Sequence, residues 1–308
     1  MSDLPNAIFL MGPTASGKTG VAVELVQNLP VEIISVDSAL VYRDMNIGTA
    51  KPDAATLAKA PHHLIDIISP SETYSAASFR KDALRWMADI TARGKTPLLV
   101  GGTMLYFKAL KEGLNDLPVA NPAIRTELDA LIEKHGTPYL HTMLKRIDEE
   151  TALRLSPNDT QRIARAMEIY RITGKPMSEL LKREHKLDFP YRIQPVSLIP
   201  SDRSALHQRI ATRFKQMLDQ GLVDELRELR EKYTLHPDMP SMRCVGYRQA
   251  WQYMDGIISQ GQLLETGIIA TRQLAKRQLT WLRSMPANIE IDCLGDNLIQ
   301  RVRLVLNL

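Results

Sequence analysis

The sequence predicts an α/β protein: a parallel sheet flanked by helices around a phosphate-binding loop, with an all-helical insertion and a helical C-terminal part. Three observations predict it. An apolar run, Ala7-Ile8-Phe9-Leu10-Met11, leads through a glycine-bounded loop into a helical stretch that continues from Gly20. Strand-like runs then alternate with helix-periodic segments to about residue 114, the pattern of a doubly wound parallel sheet. From 122 to about 186 the periodicity is helical with no convincing strand, and 193–199 then returns to strand character. The expected division is an α/β core at 1–114 and 187–308, with a helical insertion at 115–186.

The loop after the first strand reads Gly12-Pro13-Thr14-Ala15-Ser16-Gly17-Lys18-Thr19, the P-loop pattern of glycine, four residues and Gly-Lys-Thr. Gly12 and Gly17 let the chain turn tightly, so that successive backbone N–H groups point at a phosphate. The positive end of the following helix adds to that attraction. Lys18 can reach a terminal phosphate, and the Thr19 hydroxyl is placed to ligate Mg²⁺. A plain glycine turn between strand and helix would not need the Lys-Thr pair.

A second strand at 31–36 ends on Asp37-Ser38-Ala39-Leu40. Ligands of open α/β sheets gather beyond the carboxyl ends of strands, so Asp37 is placed near whatever Lys18 holds. Residues 42–61 read as a loop and 63–67 as a short strand. Phe79, Ala83, Trp86, Met87 and Ile90 form one apolar helix face within 75–93, which Gly94 terminates. A buried strand at 97–100 leads to Gly101-Gly102-Thr103 and a helix from Met104. The insertion contains helices at 123–135, 138–146, 149–155, 159–173 and 177–184. After the strand at 193–199 come helices at 204–220, 222–232, 246–255 and 262–283, and a last strand near 289–291.

Composition narrows the class. Hydrophobic residues at 44% and charged residues at 24% of 308 are ordinary for a globular chain, and no stretch approaches a membrane span. Residues 1–6 lack a basic start with a long apolar core, and two cysteines, Cys244 and Cys293, make no disulfide framework. The expectation is a reduced, cytoplasmic protein that does not associate with membranes. The net charge of +4 is small, but between 241 and 284 Arg243, Arg248, Arg272, Lys276, Arg277 and Arg283 face only Asp255 and Glu265. Such a patch suits a polyanion.

Five further blocks narrow the choice among P-loop proteins. Asp37-Ser38-Ala39-Leu40-Val41-Tyr42, Gly101-Gly102-Thr103-Met104-Leu105-Tyr106, the run 158–166 around Gln161, Arg162, Ile163, Ala164 and Arg165, the run 243–248, and the run 271–283 resemble the signature blocks of tRNA dimethylallyltransferases, the tRNA isopentenyltransferases of bacteria. The resemblance extends in order from about Ala7 to Arg283. It implies transfer of a dimethylallyl group from dimethylallyl diphosphate to N6 of the adenosine immediately 3′ of the anticodon. The partners it implies are the tRNA anticodon stem-loop and the prenyl diphosphate, with Mg²⁺ as cofactor and a monomeric enzyme. Lys18 and the loop 12–19 would hold the diphosphate, and Thr19 the metal. Asp37 would accept the amine proton, Thr103 would orient the base, and Arg213 would face the donor phosphates, with Arg209 one helical turn away as the alternative. Contact with tRNA would come from Asp37, Ser38, Ala39, Leu40, Thr103, Arg125, Gln161, Arg162, Ile163, Ala164, Arg165, Met242, Arg243, Cys244, Val245, Gly246, Tyr247, Lys276, Arg277 and Arg283. The insertion and the basic C-terminal helix would clasp the stem-loop.

Plainer roles compete. Asp37 could cap a turn, Arg162 and Arg165 could form a solvated helix face, and Arg272, Lys276 and Arg283 could be a surface ion-pair stripe. His62 and His63 point in different directions, which disfavours a metal there. Two other functions are conceivable: a nucleotide-binding P-loop kinase using ATP, and a non-catalytic RNA-binding module. No Asn-Lys-x-Asp motif or convincing Walker-B run supports the first. The second leaves Lys18, Thr19 and Asp37 unexplained.

Overall fold

Parallel pairing joins β1 (Asn6–Met11), β2 (Val31–Val36), β3 (His62–His63), β4 (Thr96–Gly101), β5 (Arg192–Ile199) and β6 (Ile289–Asp292) into one sheet, in the order β3-β2-β4-β1-β5-β6. The computed structural model describes residues 4–115, 117–182, 189–285 and 287–306. Its helices are α1 (Lys18–Asn28), α2 (Ala54–Lys59), α3 (Ala76–Ala92), α4 (Met104–Glu112), α5 (Pro122–His135), α6 (Thr137–Ile147), α7 (Glu149–Arg154), α8 (Thr160–Thr173), α9 (Met177–Leu181), α10 (Arg203–Asp219), α11 (Leu222–Lys232), α12 (Tyr247–Met254), α13 (Gln260–Arg283) and α14 (Leu298–Val305). The α/β class expected from the alternation is the class observed.

The sheet is buried on both faces, as parallel sheets require. Phe9, Met11, Ile34, Val36 and Leu99 point to one side, against Phe79 and Met87 of α3 and Phe107 of α4. Ile8, Leu10, Ile33, Leu98 and Val196 point to the other, against Val21, Ala22 and Leu25 of α1 and Val302 of α14. A third core gathers Val41, Tyr42 and Met45 with Phe214 of α10, Leu222 of α11 and Trp251 of α12. It fixes the loops beyond the carboxyl ends of the strands.

The chain divides into two compact units, Met1–Lys111 with Phe189–Leu308, and Glu112–Asp188. The second unit is all-helical among its described residues and has its own core of Leu128, Leu140, Leu144, Ile163 and Met167.

Three expectations change. The strand read at 63–67 shrinks to β3, because Leu64 (φ 65°) and Asp66 (φ 56°) take left-handed backbone and turn the chain toward a single bridge between Tyr42 and Ile68. The loop read at 42–61 contains α2, started by Asp53 Oδ1 accepting the Thr56 N–H at 2.7 Å. Helix α14, absent from the sequence reading, packs on α1. Residues 183–184 of the helix expected at 177–184 lie outside the described residues.

Candidate active site

The glycine-bounded loop at 12–19 is built by strand and helix together. Strand β1 is buried from Ala7 onward and ends at Met11, so the chain must reverse at once to begin α1 at Lys18. Gly12 serves close approach: a Cβ there would lie 2.7 Å from Ser16 Oγ and 2.9 Å from the Leu198 carbonyl. Gly17 serves conformation, capping α1 at φ 87°. The two glycines thus have different duties.

Lys18 folds back over this loop. Its Nζ donates to the carbonyls of Gly12 at 2.8 Å and Pro13 at 2.6 Å, and approaches Ser16 Oγ at 3.4 Å. Burial pushes the Lys18 ammonium down to about 8; the Asp37 carboxylate opposes that shift and the Arg213 guanidinium adds to it. Lys18, Asp37 and Arg213 therefore share one electrostatic environment.

Asp37 follows directly on β2, and its Oδ1 accepts the Ala39 N–H at 2.8 Å. The turn-capping role is real, but it uses one carboxylate oxygen. Thr103 follows β4, the strand paired with β2, and its N–H donates to the Val36 carbonyl at 3.2 Å. Its Oγ1 accepts the Ser38 N–H at 3.0 Å. Thr103 is thereby locked beside Asp37. Both line a cavity of about 960 Å³, together with Lys18, Thr19, Arg213 and Cys244.

Arg209 and Arg213, one turn apart on α10, both border this cavity. Burial lowers the Arg213 guanidinium, and the Asp37 carboxylate pulls the other way. Arg209 instead interacts with Cys293. For Cys244, burial first and the Asp37 charge second push the thiol up to about 12, so it stays protonated and is no nucleophile.

Comparison with known proteins settles the family. The model of the IPP transferase family matches residues 40–285, and that of isopentenyl transferases matches 5–69. A tRNA dimethylallyltransferase of Thiobacillus denitrificans is 60% identical, over 97% of this chain and 95% of that protein. One of Methylobacillus flagellatus is 61% identical, over 94% and 92%. The chain belongs to the tRNA dimethylallyltransferase family. Among solved structures, the tRNA isopentenylpyrophosphate transferase of Bacillus halodurans superposes with a TM-score of 0.72 at 35% identity, covering 98% of this chain and 95% of that one. A eukaryotic dimethylallyltransferase caught acting on tRNA superposes at 0.80 with 27% identity, covering 98% and 79%.

Members of the tRNA dimethylallyltransferase family are prenyltransferases, which decides against the kinase alternative. In this member the residues expected to meet RNA fall into distinct groups. Ser38, Ala39, Leu40, Arg243, Cys244, Val245 and Arg277 border the cavity. Lys276 and Arg283 are exposed on α13. Met242 and Tyr247 are fully buried, and the Tyr247 hydroxyl donates to Glu225, so their side chains serve the core; Gly246, also buried, caps α12. Arg272, expected on the same face as Lys276, turns inward and its Nε is buried without a partner.

Within the helical unit of this family member, Ile163 is also core, and Ala164 is partly buried. Arg125 and Arg165, both expected to meet RNA, pair with a buried carboxylate inside the unit. Glu168, 1% exposed on α8, takes Arg125 Nε at 3.0 Å and the Arg165 guanidinium on its two oxygens, while the Asn121 N–H donates to it at 2.8 Å. Burial alone would raise the Glu168 carboxyl; the guanidiniums and the amide together hold it below the usual range. Arg162 remains 74% exposed beside Asp159, and Gln161 is exposed. The α8 face is thus part internal scaffold and part open surface.

Sequence reasoning missed the role of Gln278. It stood in a quoted block without a role, and nothing local in 271–283 announces that its amide bridges two loops.

Proposed function

We propose that this chain transfers a dimethylallyl group from dimethylallyl diphosphate to N6 of the adenosine immediately 3′ of the tRNA anticodon. The observation that carries the reading is the convergence of Lys18, Arg213 and Asp37 on one cavity. Cations there suit an anionic leaving group, and a carboxylate suits a proton acceptor. The new bond joins N6 to the allylic carbon, the allylic C–O bond breaks, and diphosphate departs with the bonding pair. Lys18, Arg213 and the loop amides stabilise the developing charge. An adenine amine is a weak nucleophile, because its lone pair is delocalised into the ring. Asp37 accepts its proton as the C–N bond forms, and Thr103 orients the base. A stacked base cannot reach this cavity, so the adenosine is extruded into it.

The wall also suits Mg²⁺. The Thr19 hydroxyl, in the first turn of α1, and the Ser35 hydroxyl, buried on the same wall without a hydrogen-bond partner, are hard oxygen donors. Thr19 would hold the ion, which supplies charge neutralisation to the diphosphate. The open surface of α8 around Arg162, and Lys276 and Arg283 on α13, would contact the stem-loop. Deleting the helical unit and bridging the gap is then expected to spare prenyl-diphosphate binding and abolish stem-loop modification.

The test is incubation with labelled dimethylallyl diphosphate, Mg²⁺ and total tRNA, followed by nucleoside analysis. Label in an N6-prenylated adenosine next to the anticodon is the expected result. Label transferred from ATP without a prenyl donor, or none from the prenyl donor, overturns it.

A further inference from the structure

Gln278 of α13 is hydrogen-bonded at both ends of its amide to the two loops that bracket the cavity. Oε1 accepts the backbone N–H of Thr14 at 2.8 Å, and Nε2 donates to the Gly102 carbonyl at 2.9 Å. An N–H requires an acceptor and a carbonyl requires a donor, so the neutral amide satisfies both partners at once, where a carboxylate would satisfy only the first. Gly102 is fitted to this contact: a Cβ there would lie 2.3 Å from Nε2.

The two bonds join parts of the site with opposite duties. Thr14 lies inside the phosphate loop, two residues from Gly12, whose carbonyl takes the Lys18 ammonium. Gly102 precedes Thr103, whose Oγ1 holds the Ser38 N–H next to Asp37. A continuous hydrogen-bonded path therefore runs from the phosphate loop through Gln278 to the turn beside the carboxylate. The loops belong to different βα units, and Gln278 follows Thr14 by 264 residues and Gly102 by 176.

We propose that Gln278 is a positioning residue: its amide fixes the spacing between the phosphate loop and the Thr103 turn, and so the approach of the donor carbon to the acceptor amine. The inference rests on the prenyl transfer proposed above. It adds a requirement that transfer itself does not state, since Gln278 acts through Thr14 and Gly102. Misplacement of about 1 Å between reacting groups costs on the order of 10²-fold in rate.

Two variants and wild type test it. Gln278→Met keeps the length and removes both bonds; Gln278→Glu keeps an acceptor for Thr14 and removes the donor to Gly102. In a single-turnover assay with dimethylallyl diphosphate and tRNA, Gln278→Met is expected to lower the transfer rate about 10²-fold. Dissociation constants for donor and tRNA should stay within about three-fold of wild type. Gln278→Glu should also lose rate. Amide exchange at Thr14 should accelerate in Gln278→Met and stay protected in Gln278→Glu. Transfer rates within about three-fold of wild type in both variants, or a loss confined to donor affinity, overturn the inference. Equal Thr14 exchange in wild type and Gln278→Met overturns it whatever the reaction is. If Gln278→Met does not fold, the rate of Gln278→Glu decides alone. Failure of wild type to prenylate tRNA strikes the proposed function, and the exchange comparison still tests the tie.

Discussion

Thr103 Oγ1 accepts the backbone N–H of Ser38 at 3.0 Å, so the turn after β4 grips the residue next to Asp37. The hydroxyl also donates to Ser38 Oγ at 3.4 Å, and a serine can reproduce both contacts where a valine cannot. Thr103→Val should therefore lower the single-turnover rate by about 10–10²-fold through misplacement, at a stability cost of about 1 kcal/mol. Thr103→Ser should retain most of the rate. Equal impairment of the two variants would show that the methyl group, and not this bond, matters.

Lys18 makes a pH prediction. Its ammonium is pushed down to about 8 in the free protein, chiefly by burial. A bound diphosphate favours the charged form and raises that value again. Between the two values binding takes up a proton, so donor affinity should be flat below about 8 and weaken toward tenfold per pH unit above it. Lys18→Gln should bind weakly and without that slope. Calorimetric titration in buffers of different ionisation enthalpy measures the proton uptake directly. No uptake at a pH near 9 would contradict the assignment.

Much of this arrangement was legible in the sequence because its signals are local. Gly12, Gly17, Lys18 and Thr19 sit within one loop, and Asp37 and Thr103 sit at strand ends that apolar runs announce. What escaped depends on partners far along the chain. Helix α14 is short and fully buries only Val302 before its C-cap, so its periodicity is faint until α1 is in place. The strand read at 63–67 has suitable residues, but Asp66 turns to pair with Lys51 and its N–H donates to the Leu40 carbonyl at 3.1 Å. Arg125 and Arg165 look like surface cations until Glu168, 43 residues from the first, is seen between them. Gln278 is the extreme case, joined to a loop at the other end of the chain.

The Glu168 cluster separates folding from RNA binding. With one carboxylate serving two guanidiniums and a backbone amide, Glu168→Ala leaves several donors unpaired. Loss of about 1–3 kcal/mol is expected, since both arginines can still reach water. Arg162→Ala removes only an exposed ion pair with Asp159. It should leave denaturant midpoints unchanged and reduce the salt slope of tRNA binding by about one. Equal destabilisation by the two substitutions, or an unchanged salt slope for Arg162→Ala, would contradict this division.

The proposed role of Asp37 as acceptor of the amine proton is tested most directly by the single-turnover transfer rate of Asp37→Asn at saturating donor and tRNA. Asn can still accept the Ala39 N–H that Asp37 Oδ1 accepts at 2.8 Å, so the turn should survive while proton acceptance is lost. The expected rate is lower by about 10²–10⁴-fold, with both dissociation constants within a few-fold of wild type. A folded Asp37→Asn protein that transfers the prenyl group at nearly the wild-type rate would contradict it.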